Sequence, residues 1–96
     1  MIQTGVVWYN NETRGWQLDV GEGFRSFIGE PVRFEQRFST PPSVALALAG
    51  LNSANAANLR VGLIPREVSP DAFKIEVKTW QDTRLYGVQV WWIAFE

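Results

Sequence analysis

AFKIEVKTWQDTRLYGVQVWWIAF, residues 72–95, carries two apolar/polar alternations separated by a short polar break. In its first part Phe73, Ile75 and Val77 share one side while Lys74, Glu76 and Lys78 share the other, the period of a half-buried antiparallel strand. Asp82-Thr83-Arg84 reads as a polar connection, and residues 85–95 as the returning strand of a hairpin. On that strand Tyr86, Val88, Val90, Trp92 and Ala94 fall on one face, and Gly87, Gln89, Trp91, Ile93 and Phe95 on the other. The first set is the expected core. The second is too apolar for a sheet face bathed in water, because the adjacent Trp91 and Trp92 must point to opposite sides. Either a loop or the N-terminal segment folds over this second face, or another copy of the chain covers it. The interface is favoured, since a chain of 96 residues has little length with which to cover both faces. Closed cyclic symmetry would satisfy the patch without open-ended association.

Outward from this stretch, further strands are predicted at residues 3–9, 32–38, 44–51 and 59–64. Polar or proline-bearing breaks separate them: Asn10-Asn11-Glu12, Ser39-Thr40-Pro41-Pro42, residues 52–58 and residues 65–71. Short strands at turn-punctuated spacing, without a long helical pattern, predict an all-β sandwich. The Ala/Asn tract at 52–58 reads as a loop, because Asn and Ser favour turns over helix interiors. No repeat, heptad pattern or linker divides the chain, so residues 1–96 are expected to form one domain. Asn11-Glu12-Thr13 is a formal glycosylation acceptor of a kind that arises often by chance.

Composition narrows the chemistry. Without Cys there is no disulfide, thiol nucleophile or thiolate metal site, and without His the commonest general base and zinc ligand are missing. The ten acids are spread along the chain with no local pair of the kind a glycosidase needs, so no catalytic residue is expected. The net charge is −1 and the nine basic residues are scattered, which argues against nucleic acid as a partner. The longest apolar run, residues 44–49, is far too short for membrane insertion, and nothing reads as a signal peptide.

Several segments carry a family likeness by their order and separation. They are Gly15-Trp16-Gln17, Phe38-Ser39-Thr40-Pro41-Pro42, Ala49-Gly50-Leu51-Asn52-Ser53 and Asn58-Leu59-Arg60-Val61, then Thr79-Trp80-Gln81-Asp82-Thr83-Arg84-Leu85-Tyr86 and Trp92-Ile93-Ala94. Together they resemble the H-type lectin domain, leaving only residues 18–30 poorly matched. The resemblance implies a six-stranded antiparallel β-sandwich that assembles as a homotrimer, with sugar sites in the clefts between protomers. It also implies glycans ending in galactose or N-acetylgalactosamine as partners, a role in cell adhesion, and no metal or organic cofactor.

Carried over residue by residue, Arg60 matches an arginine that donates to sugar hydroxyls, a task suited to several donors in one plane. A surface ion pair is the plainer reading of such an arginine. Trp80 matches an aromatic lining the pocket, where an indole offers a flat surface to sugar C–H groups; a packing role is its alternative. Tyr86 matches another pocket residue, though its place in the core-facing register suits a structural role equally. Gln81 stands where the snail agglutinin of the family has a histidine beside the sugar's acetamido group, which weakens the expectation of N-acetyl preference. Asp19, Gly21 and Glu22 occupy the region of a family loop that supplies one acid and a close backbone approach, and either acid fits. The snail protein's cysteines are absent, so a simple trimer is expected, with a hexamer as the alternative. A second function class stays open: a structural or adhesion module, such as a trimeric spike component, that keeps the fold with a degenerate sugar site.

Overall fold

The computed structural model describes residues 1–96 and contains β-strands and no helix. Its seven strands are β1 (Ile2–Asn10), β2 (Arg25–Ile28), β3 (Val32–Arg33), β4 (Ser43–Ser53), β5 (Gly62–Arg66), β6 (Ala72–Thr79) and β7 (Leu85–Phe95). One antiparallel sheet runs β1-β7-β4; the other centres on β6, with β2 and β3 along one edge and β5 along the other. The body is elongated, 45 × 20 × 20 Å.

The expected hairpin of β6 and β7 does not form. β7 pairs with β1 and β4, β6 pairs with β2, β3 and β5, and residues 80–84 carry the chain from one sheet to the other. The alternation is a sound guide to faces and silent about partners. Two strands with apolar faces can lie side by side or face each other, and these two face each other. Phe73, Ile75 and Val77 are buried across the core from Val88, Val90, Trp92 and Ala94. As the centre of its sheet, each strand is flanked on both edges.

Seven strands replace the expected six because one row is broken. β2 lies against residues 76–79 of β6 and β3 against residues 72–73, so both extend along the same edge. Between them Pro31 has no N–H to give to the ladder. Gly29 passes beneath Tyr9, whose hydroxyl would lie 2.6 Å from a Cβ there. Residues 32–38 therefore yield only two strand residues, and Phe34 and Phe38 enter the core from a loop tied to β6's approach (Phe34 N to Asp71 O, 3.0 Å; Phe38 N to Pro70 O, 3.0 Å). The strand expected at 59–64 starts later, at Gly62, and runs through Pro65, which an edge strand tolerates because its outer N–H positions need no partner.

Inside, aromatic rings form two groups. Tyr9, Trp16 and Phe27 meet edge to face or tilted at 5.0 and 5.2 Å between centroids, and the Trp16 indole N–H donates to Leu85 O at 2.9 Å. Phe34, Phe38, Phe73 and Trp92 make the other group, at 4.8 to 5.9 Å. Trp92 lies flat over Gly5, where any Cβ would sit 2.7 Å from its ring.

The two tryptophans divide as the alternation requires: Trp92 is 9% exposed and Trp91 59%. Trp91 stands in a row between Val6 and Ala47, with Ile93 between Thr4 and Ala45 in the next. These rows form an open apolar groove of about 580 Å³ on the outer face of the β1-β7-β4 sheet. No loop covers it, and the N-terminal segment is itself strand β1 of that sheet. Tyr86 departs from the expected register. Asn52 opposes Gly87 while Ser53 opposes Leu85, so Tyr86 is the extra residue of a β-bulge. The bulge sends Leu85 fully into the core and leaves Tyr86 half-buried.

Candidate functional site

At the end of the sandwich where β6 leaves and β7 begins, the link of residues 80–84 meets residues 58–60 and the first loop. Two buried threonines do the joining. Thr79, the last residue of β6, donates from Oγ1 to Arg60 O at 2.6 Å, and Thr83 donates from Oγ1 to Asn58 O. The Arg60 backbone is thus held independently of its side chain. The guanidinium then reaches the link, its Nη1 donating to Asp82 Oδ1 at 2.7 Å and to Thr83 Oγ1 at 3.1 Å.

This ion pair is half in water: the Arg60 side chain is 19% exposed and that of Asp82 58%. The hydrogen bond from Arg60 holds the Asp82 carboxyl below its ordinary range; partial desolvation opposes the shift, and the residue's own backbone N–H and the Arg60 charge add to it. Nε and Nη2 of Arg60 have no partner in the chain. Since no buried side-chain nitrogen or oxygen lacks a partner, both of these atoms must reach solvent. On the link itself, Trp80 is 38% exposed and stays outside both core ring groups.

Gln81 holds a left-handed conformation (φ 56°), uncommon for a residue with a side chain. Its carbonyl is thereby available to the first loop, accepting from Gly23 N at 3.1 Å and Arg25 Nη2 at 2.9 Å. Arg25 fastens the whole corner. Its Nε donates to Gly23 O (3.0 Å), Nη1 to Val20 O (2.8 Å) and Leu18 O (3.4 Å), and Nη2 also to Thr83 O (2.8 Å). All five N–H groups of one guanidinium are spent on backbone carbonyls of two segments that no strand ladder joins. Gly21 and Gly23, at φ 78° and 77°, supply the left-handed turns that aim those carbonyls inward.

Of the residues singled out from sequence, Arg60, Trp80 and Gln81 are drawn to one corner, and Gly21 and Glu22 belong to the loop fastened beside it. Glu22 is exposed and Asp19 half-buried, and neither carboxylate bonds Arg60; Asp19 offers only its carbonyl, to Arg84 Nη1 at 3.4 Å. Tyr86 sits at the bulge, with its carbonyl accepting from Asn11 N at 2.8 Å. Sequence reasoning misses Asp82, Thr83 and Arg25. Arg25 lies in the poorly matched segment, and Asp82 reads in sequence as a turn residue. Nothing in the chain pairs position 60 with 82 except the fold.

Comparison with known proteins agrees with this architecture. A family model described as the H-type lectin domain matches residues 30–95. A discoidin-1 polypeptide of Dictyostelium discoideum is 32% identical over 78 residues, which is 80% of this chain and 30% of that protein. The product of ATP synthase subunits region ORF 7 of Fuscovulum blasticum is 29% identical over 90 residues, 94% of this chain and 68% of that protein. Among solved structures, wild-type discoidin II from Dictyostelium discoideum superposes with a TM-score of 0.85 at 21% identity, covering 100% of this chain and 36% of that one. This likeness establishes a shared fold, over about a third of the length of the discoidins.

Proposed function

The chain belongs to the H-type lectin domain family, and from that premise we propose that it is a non-catalytic lectin module for terminal galactose or N-acetylgalactosamine. The observation that carries the reading is Arg60, with two solvent-reaching donor nitrogens, at the same corner of the sandwich as the half-exposed Trp80, whose neighbour Thr79 bonds the Arg60 carbonyl. A sugar ring has a hydroxyl-bearing rim and an apolar C–H face, and these two side chains match one each. Gln81, Tyr86, Gly21 and an acid of the first loop, Asp19 or Glu22, complete the proposed site. With Gln81 in place of a histidine, the sugar's ring hydroxyls rather than its N-acetyl group are the recognised feature.

The assembly proposed is a homotrimer of single-domain chains, with the outer face of the β1-β7-β4 sheet buried between copies. The uncovered Val6, Trp8 and Trp91 support it, since patches of this kind on a small protein mark contact surfaces. Each site is expected to bind weakly, because hydroxyls exchange water for protein partners at little net gain. Three sites presented together raise apparent affinity by roughly 10²–10⁴ when the glycan spacing fits.

Arg60→Ala tests the reading on a glycan array. The fold is expected to survive, because Thr79 and Thr83 grip backbone carbonyls rather than the lost side chain. Galactose-type signal should vanish while the sedimentation coefficient stays unchanged. Full array binding by this variant would remove Arg60 from the site, and an array blank for the unaltered protein would favour a structural module.

A further inference from the structure

The acid on Arg60 is not in the first loop. Asp82, at the crossing between the sheets, is the only carboxylate bonded to that guanidinium, and it uses one oxygen to do so. Oδ2 takes no hydrogen bond from any other residue, and the side chain is more than half exposed. On the arginine, Nε and Nη2 are equally without partners and reach solvent. The pair therefore offers a free acceptor on one partner and free donors on the other, the two side chains tethered by the 2.7 Å contact of Nη1 with Oδ1. Adjacent hydroxyls project side by side from a sugar ring, and each can donate and accept. One can donate to the carboxylate while its neighbour accepts from the guanidinium.

We propose that Asp82 is a sugar-contacting, specificity-determining residue, and that Asp82 and Arg60 together read a vicinal diol of the galactose-type ring. The proposal rests on the lectin reading and deepens it by naming the sugar feature recognised. Thr83 contributes by fixing the geometry. Its hydroxyl accepts from Arg60 Nη1 and donates to Asn58 O, so the arginine fork cannot swing away when the diol arrives. A charged acceptor is the stronger partner for a hydroxyl, and removing it from a formed diol contact leaves a sugar O–H unpaired.

Acid should reveal the same group. The charged residues around the crossing are Arg60 from the approach to β5, Arg25 from β2, Arg84 on the link itself, and Asp19 and Glu22 from the first loop. Arg60 holds the Asp82 carboxylate ionised below the ordinary carboxylate range. Binding that needs its charge should persist as the pH falls through that range and fail only beneath it.

The experiment titrates ¹⁵N-labelled protein with galactose, 3-deoxygalactose and 4-deoxygalactose, for the unaltered chain and for Asp82→Asn, across acidic pH. The unaltered chain should bind galactose and discriminate against at least one deoxy sugar by about tenfold or more. Asp82→Asn, near-isosteric and checked for fold by its spectrum, should lose about tenfold in galactose affinity, lose that discrimination, and lose the acid limb of the pH profile. A variant that binds all three sugars as the unaltered chain does, with the same pH profile, overturns the role of Asp82 and leaves the lectin reading standing. A folded, unaltered protein blind to galactose at every pH overturns the lectin reading, and this proposal with it.

Discussion

Changing two neighbouring tryptophans to alanine, one at a time, should have opposite consequences. Trp91 is 59% exposed on the apolar outer face, and Trp92 is 9% exposed beneath Gly5, Phe34 and Phe73. If copies of the chain cover that outer face, each Trp91 buries up to roughly 150 Å² more on assembly, the exposed share of a large aromatic. At about 25 cal/mol per Å² that is ~3–4 kcal/mol per copy, an upper bound because burial need not be complete. Three copies lose ~10 kcal/mol, or about seven orders of magnitude in the trimer association constant. The concentration for half-assembly scales as the inverse square root of that constant, so it should rise by roughly 10³-fold. Sedimentation velocity at micromolar protein should show Trp91→Ala as a single folded chain with its β-sheet spectrum intact. Trp92→Ala should instead lose about 3–5 kcal/mol of folding stability in urea, a large part of what a domain of this size has. An unaltered protein that sediments as a lone chain, or a Trp91→Ala variant that still assembles at the same concentration, would refute the reasoning.

Two other changes probe the corner and the core. Arg25→Lys replaces a planar five-donor fork with a point charge that cannot reach carbonyls on both segments at once. Amide exchange should accelerate at Gly23, whose N–H bonds Gln81 O, and stability should fall by about 1–3 kcal/mol; unchanged protection at Gly23 would mean the loop holds itself. Gly5→Ala places a Cβ 2.7 Å from the Trp92 ring, which the two sheets enclose. Overpacking of this sort should cost about 1–3 kcal/mol in urea unfolding, and a neutral result would show that the indole can shift.

The sequence by itself determined the class of fold, the burial of the last strand's two faces from Val88 to Ala94, and the family. These follow from local alternation and from motif order, and both are properties of neighbouring residues. Val88, Val90, Trp92 and Ala94 were readable as core, and Trp91 as its outward neighbour, because a strand turns by half a revolution per residue. Only the tertiary structure decided that β6 and β7 face each other instead of pairing, since alternation carries no information about partners. It alone decided that a bulge turns Tyr86 out of the register, and that Pro31 and Gly29 break one row into β2 and β3. The candidate site was half legible. Arg60 and Trp80 stood out by motif, while Asp82 and Arg25 did not, because their roles come from contacts spanning 22 and 56 residues of chain. Such contacts exist only once the sheets have packed and brought the loop, the crossing and the arginine to the same corner.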